Sequence, residues 1–234
     1  DQQGNVVHLF ERDCTMQRRH QKLIEEAPSP VLSEEERGEV CRSAVRLAKA
    51  ANYHSAGTVS LLFDANERKF YLMEVNTRIQ VEHPVSELIT GIDLVKSQIR
   101  VAAGEPLGFT QRDIKRTGHA IEVRVNAENV DKNFMPSPGL IERFIPPGGP
   151  NVRVDTHCYS GYRVPPNYDS MIAKLIVHGA TRDDALATMR RALAEFTIDP
   201  LPTTIPLHAR LMRHGNFINS DVDIHFVERW LDKK

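Results

Sequence analysis

Cysteine is scarce in this chain: Cys14, Cys41 and Cys158 are the whole complement in 234 residues. An odd number without paired spacing argues against a disulfide framework and suits reduced thiols in a cytosol. Long apolar runs are missing too, so the sequence offers no candidate for a membrane-spanning helix. Charge of one sign is also missing. Thirty basic against thirty-one acidic residues leave a formal charge of -1, and such a balanced field favours neither nucleic acid nor an anionic membrane. Any anion site must therefore be local. No signal-peptide pattern, internal repeat or low-complexity tract is visible. What is present is 41% hydrophobic residues, enough to bury a core in one or two domains. These features predict a soluble, cytoplasmic, globular protein with no nucleic acid or membrane partner. The chain opens on Asp1 rather than methionine, with a turn expected over residues 1–5 and a strand over Val6 to Phe10, which suggests that sequence once preceded it.

The first block reads as mixed helix and strand. Ser33, followed three residues later by Glu36, offers a capping box, in which each side chain bonds the other's backbone. The helix it predicts carries Val40, Ala44, Leu47, Ala48 and Ala51 at helical spacing, with Asn52 as a plausible stop. Two short β-prone runs, Thr58 to Phe63 and Lys69 to Val75, flank Asp-Ala-Asn-Glu-Arg and predict a hairpin. If that hairpin is symmetric about Glu67, residue 60 faces 74, 58 faces 76 and 62 faces 72. Pro84 suits a first helical position, and Asp93 can cap a further helix ending near Gly104.

The second block begins around Thr117. From His119 to Val125, Ile121, Val123 and Val125 alternate with Ala120, Glu122 and Arg124, the pattern of a half-buried strand. Strands are also expected at Leu140 to Ile145, Val152 to Thr156 and Met171 to His178, separated by Pro-Gly and Pro-Asn turns. Thr181 can cap a helix bearing Ala185, Leu186, Met189, Leu193 and Phe196, and an apolar stretch runs from Ile224 to Leu231.

Chemistry concentrates in the string EVNTRIQVEHP, residues 74–84. In an extended segment Glu74, Asn76 and Arg78 project from one side at steps of roughly 6 to 7 Å. A carboxylate and an amide oxygen so placed suit a hard cation such as Mg2+, Arg78 adds a planar fork for an oxyanion, and Glu82 can act as a base. Any one of these residues alone would be an ordinary solvated charge, but the whole string is not ordinary. The run Arg18, Arg19, Lys22 reads by itself as a solvated face, and Arg124 as an ion-pair partner of Glu122 or another neighbour. Cys14 lacks an adjacent base and reads as a wall residue. His83, His119, His157 and His225 show no ligand spacing.

The string resembles the metal and bicarbonate segment of biotin carboxylases, within the ATP-grasp superfamily. ERDCTMQRRHQKLIEEAPSP near the start, TGHAIEVRVNAE with Thr117 where the family has arginine, FMPSPG and PPNYDSMIAKL resemble further family segments in the family's order. The resemblance covers nearly the whole chain. It implies an α+β fold in which 1–116 are the C-terminal part of an ATP-grasp domain and 117–234 the biotin carboxylase C-terminal domain, with the N-terminal domain and ATP lid absent.

Residue by residue, the resemblance implies that Glu74 and Asn76 hold Mg2+ or Mn2+ with ATP, and that Gln17, His20 and Leu62 lie beside the nucleotide. Lys22, Arg78, Gln80 and the Val81 backbone would surround bicarbonate, with Glu82 as the base that deprotonates it. In the family reaction bicarbonate attacks the γ-phosphate of ATP, the carboxyphosphate formed releases CO2, and biotin is carboxylated. Arg124 matches the arginine that stabilises the biotin enolate, a fixed guanidinium opposite developing oxyanion charge. The implied partners are a biotin carboxyl carrier protein or domain and a carboxyltransferase, as in acetyl-CoA carboxylase and fatty acid biosynthesis or a 2-oxo-acid carboxylase, with a homodimer possible.

Two departures bear on activity. Ser60 stands where the family has a metal-binding glutamate, and the lid with its lysines is absent, so the chain alone is expected to be inactive. Pro150 replaces an aromatic residue that some bacterial relatives carry near the dimer interface. Two other readings compete: a non-catalytic dimerisation or docking module, and another ATP-grasp ligase joining a carboxylate to an amine.

Overall fold

The computed structural model describes residues 1–232. The chain forms two compact units, one made of Asp1–Arg12 with Pro28–Thr117, the other of Asp13–Ala27 with Gly118 onward. These units differ from a single cut between 116 and 117. Strands β1 (Asp13–Arg18) and β2 (Gln21–Ala27) form an antiparallel hairpin early in the sequence, yet β2 pairs with β5 (His119–Asn126), far along the chain. Backbone pairing therefore carries residues 13–27 into the second unit.

In the first unit α1 (Glu34–Ala50) begins at the Ser33–Glu36 capping box expected from sequence and turns out at Asn52, whose φ is 48°. Strands β3 (Thr58–Asp64) and β4 (Lys69–Asn76) pair as a two-stranded sheet. Ser60 faces Glu74 and Thr58 faces Asn76, as symmetry about Glu67 requires, but Leu62 faces Tyr71 and Leu72 faces Leu61. An irregularity beside Ser60 leaves Met73 as the extra residue on β4, a bulge that shifts the register of everything nearer the turn. Helices α2 (His83–Thr90), with Pro84 in its first turn, and α3 (Leu94–Ala102), capped by Asp93, follow. Residues 6–10 form no strand. The His8 backbone is bonded on both sides by the Gln111 side chain, at 2.8 and 3.1 Å, and Phe10 has φ 63°, so the segment finds its partners without a ladder.

The second unit is built on a five-stranded antiparallel sheet, order β1-β2-β5-β12-β10, where β10 spans Val152–Thr156 and β12 Met171–Gly179. Ile24, Val123, Leu175 and Val154 lie in one cross-strand row, and helix α4 (Arg182–Glu195), started by a Thr181–Asp184 capping box, adds Leu186, Met189 and Leu193 to the same core. β5 is not half-buried: as the central strand it is covered on both faces, and even Glu122 has no exposed surface. At its entry Gly118 has φ 66°, and a Cβ there would lie 2.3 Å from the Gly179 carbonyl, so only glycine fits. Short strands β6 (Glu128–Asn129) with β7 (Met135–Pro136), β8 (Gly139–Leu140) with β11 (Arg163–Val164), and β9 (Arg143–Ile145) with β13 (Thr197–Asp199) form three further ribbons. The single strand expected over Leu140 to Ile145 is thus two, because its ends pair with different partners. Helices α5 (Ile205–Leu211), α6 (Gly215–Ile218) and α7 (Phe226–Asp232) close the described chain.

Candidate active site

In the first unit the string 74–84 leaves the end of β4, runs through an open bend and enters α2. Glu74 and Asn76 share a side: the Asn76 amide donates to Glu74 at 2.8 Å, and the Arg78 guanidinium reaches the Asn76 oxygen at 3.5 Å. Glu74 and Arg78 are exposed, while Gln80 and Glu82 are buried. Glu82 is the residue preceding α2. It does not cap the helix with its side chain, so its carboxylate can serve other partners. His83 meets the Gln80 carbonyl oxygen through Nδ1 at 2.9 Å. Ser60, opposite Glu74, is half-buried, and Leu62 is exposed on β3. Val81 lies in the turn before α2.

Arg12, which sequence reasoning passed over, ties this segment together. Its guanidinium donates to Gln80 Oε1 at 2.8 Å, to Ser86 Oγ at 3.2 Å and to Thr58 Oγ1 at 3.3 Å, and stands 3.9 Å from Glu82 Oε1. One forked cation thereby bonds the start of β3, the bend and the first turn of α2. The signal for it was its place in the ERDC segment at the start of a family-like run.

The second unit holds Gln17 on β1, His20 in the β1–β2 turn, Lys22 on β2 and Arg124 on β5. Gln17 faces Lys22 across the hairpin. Arg124 makes an ion pair with Glu25 of β2, Nε to Oε1 at 2.6 Å, and Glu25 is fully buried. A buried carboxylate at that distance fixes the direction of the guanidinium. Beside it a second buried carboxylate, Glu26, accepts from His119 at 2.7 Å and from both ends of the Arg182 fork at 2.7 and 3.1 Å. Burial alone would raise the Glu26 carboxyl, but the hydrogen bonds from His119 and Arg182 outweigh it and hold the carboxyl below its ordinary value.

Oxygen donors on Glu74 and Asn76 are the kind a hard cation takes. Among the described residues no group of three or more His, Cys, Asp or Glu side chains converges, so a cation here would need oxygens from a substrate as well. Such sharing suits Mg2+, which is commonly bound by one or two protein ligands plus phosphate.

Residues 1–110 match the family described as carbamoyl-phosphate synthase L chain, ATP binding domain, and residues 122–229 match the biotin carboxylase C-terminal domain. The chain is 54% identical over 230 residues to biotin carboxylase 1 of Bacillus subtilis, covering 98% of this chain and 51% of that protein. It is 51% identical over 231 residues to the biotin carboxylase of Pseudomonas aeruginosa, covering 99% and 51%. A solved structure of the biotin carboxylase domain dimer of Hydrogenobacter thermophilus 2-oxoglutarate carboxylase, in complex with MgADP, ADP and bicarbonate, superposes with a TM-score of 0.95 at 47% identity, covering 98% of this chain and 50% of that one. The chain belongs to the biotin carboxylase family. It spans about half the length of the curated relatives it matches.

Proposed function

We propose that this chain is the part of a biotin carboxylase that receives bicarbonate and biotin, and that within its parent enzyme it serves ATP-dependent carboxylation of biotin on a carrier. The observation that carries this reading is the bend from Glu74 to Glu82, where the metal-type oxygens of exposed Glu74 and half-buried Asn76 share one side and the base-type carboxylate of Glu82 is buried beside Arg12. The ADP, magnesium and bicarbonate in the Hydrogenobacter structure support the same ligands here.

In this reading Glu82 accepts the bicarbonate proton, while Arg78, Gln80 and the Val81 backbone contribute donors that orient the anion. Arg12 keeps Gln80 and Glu82 in place through its bond to Gln80 and its closeness to the Glu82 carboxylate. Lys22 retains the role of a bicarbonate-binding cation, and Gln17, His20 and Leu62 that of nucleotide neighbours. When bound, the metal supplies neutralisation of phosphate charge, with Glu74 and Asn76 as its protein ligands. Arg124, held by Glu25, faces negative charge as it develops on the biotin ureido oxygen. We also propose residues 1–116 as the C-terminal part of an ATP-grasp domain and 117–234 as the biotin carboxylase C-terminal domain. The carrier and a carboxyltransferase are the proposed partners, a homodimer the proposed assembly and the cytoplasm the proposed location.

The chain by itself is proposed to be inactive. Leu62, Tyr71, Leu72, Met73 and Val75 are exposed on the β3–β4 sheet, an apolar surface that a two-stranded ribbon working alone has no reason to carry. Ser60 favours a second reading, a non-catalytic assembly module, because a neutral hydroxyl replaces a metal-binding carboxylate. The deciding experiment uses a chimera in which this chain replaces the corresponding half of Bacillus subtilis biotin carboxylase 1. Arg124→Lys in that chimera keeps the charge and loses the fork, so biotin carboxylation should fall more than bicarbonate-dependent ATP cleavage. Equal loss of both would assign Arg124 a general structural role.

A further inference from the structure

The pairing of β5 changes hands at Arg124. From Ala120 to Val123 its neighbour on one side is β2, in register from Ala27 to Ile24. Beyond Val123 that pairing stops, and the first residues of β2, Gln21 and Lys22, pair with β1. The backbone groups of β5 that β2 no longer serves are taken by the start of α5. Thr204 Oγ1 donates to the Arg124 carbonyl at 3.0 Å and accepts from the Asn126 N–H at 2.9 Å, and the Thr204 N–H donates to the Asn126 carbonyl at 3.0 Å. His208 Nε2 reaches the same Arg124 carbonyl at 2.7 Å. Both side chains have no exposed surface.

Thr204 precedes α5, where a threonine hydroxyl ordinarily accepts from the helix's own N–H groups. Here it makes no such bond. The hydroxyl is spent on β5 instead, and the helix starts on Pro206 in its first turn, which lowers its need for a cap. His208, one turn along, must carry its proton on Nε2 to donate to a carbonyl, and burial lowers its pKa to about 4, which keeps the ring neutral. The carbonyl of Arg124 thus receives two side-chain donors from one helix, while its guanidinium is held by Glu25.

We propose that Thr204 and His208 are positioning residues for Arg124: they fix its backbone where β2 leaves β5, so that the guanidinium is presented from a rigid point. This rests on the reading of Arg124 as the biotin-facing arginine. The test reads the position of Arg124 without any reaction, so the two ideas fail separately. If Arg124→Lys in the chimera spares carboxylation, the role falls while the clamp stands.

The experiment is NMR on the full 234-residue chain labelled with 15N-histidine, 15N-arginine and 13C carbonyl. In the unmodified chain the His208 ring should show the neutral Nε2–H tautomer, with a scalar coupling across the hydrogen bond to the Arg124 carbonyl. An Nδ1–H tautomer, a charged ring or a missing coupling at neutral pH would overturn the proposal without any variant. Among variants, His208→Gln and Thr204→Ser keep a donor and should retain the Arg124 Nε–H signal at its original shift. His208→Leu and Thr204→Val should move or broaden that signal while the Arg182 Nε–H signal, from the Glu26 pair, stays in place. An unmoved Arg124 signal in folded leucine and valine variants would show that the contacts are packing alone.

Discussion

Arg12 and Glu25 hold, each in its own unit, a residue that the sequence marks as chemical. Arg12 bonds Gln80 at 2.8 Å and flanks Glu82, and Glu25 bonds Arg124 at 2.6 Å. Neither was singled out from sequence, because a residue that supports a site is defined by what lies opposite it in space. The string 74–84 was readable because its own spacing puts Glu74 and Asn76 on one side, which the 2.8 Å bond between them bears out. Ser60 gives the residue-scale expectation. Facing Glu74 in β3, it offers a neutral oxygen where a carboxylate would add charge to a cation site. Ser60→Glu in the chimera should tighten Mn2+ binding in the presence of nucleotide, and Ser60→Ala should change little, as read by electron paramagnetic resonance. A glutamate variant no tighter than serine would put residue 60 outside the metal shell.

Among elements, helices with capped starts were the most legible. Ser33, Asp93 and Thr181 all accept from a backbone N–H as expected, since a cap is a local bargain between residues three apart. Thr181→Ala should lower the stability of the chain by about 1 kcal/mol in urea denaturation, with an unchanged m-value. Thr181→Ser should cost only a fraction of that. The β1–β2 hairpin was not legible. Its two turn residues, Arg19 and His20, adopt φ of 47° and 64°, left-handed positions that sequence rules reserve for Asn or Gly. Tertiary contacts hold them there: Glu228 accepts from the Arg19 N–H at 2.6 Å, and Arg18 stacks 4.0 Å from the Phe134 ring centre. The bulge at Met73 was equally hidden, because a two-versus-one mismatch leaves no mark in hydrophobic alternation.

At the scale of the molecule, two buried titrating groups pull the second unit the same way with pH. His208 has a folded pKa of about 4 against an ordinary 6.5, so between those values the unfolded chain binds a proton that the folded chain refuses. Its stabilisation is full above pH 6.5 and is lost as pH falls towards 4, a total of about 3 kcal/mol. Glu26, whose carboxyl is held below its ordinary 4.5, adds a loss that begins lower, as pH drops through that value. Urea denaturation of the chain should therefore show stability declining below pH 6.5, and His208→Gln should flatten the decline above pH 4.5. An unchanged slope in that variant would mean that His208 is not the group responsible.

The division of the chain was harder to read than its family, since residues 13–27 join the second unit through β2 and β5, pairing that only the fold reveals. The central proposal is that the bend from Glu74 to Glu82 binds bicarbonate and that Glu82 takes its proton. Bicarbonate-dependent ATP cleavage measures it most directly, in this chain alone, in the chimera with the Bacillus subtilis half, and in the chimera carrying Glu82→Gln. The account expects no turnover from the chain alone, turnover in the chimera, and its loss in the Glu82→Gln chimera. A folded chimera that cleaves no ATP, or one whose turnover survives Glu82→Gln, would contradict it.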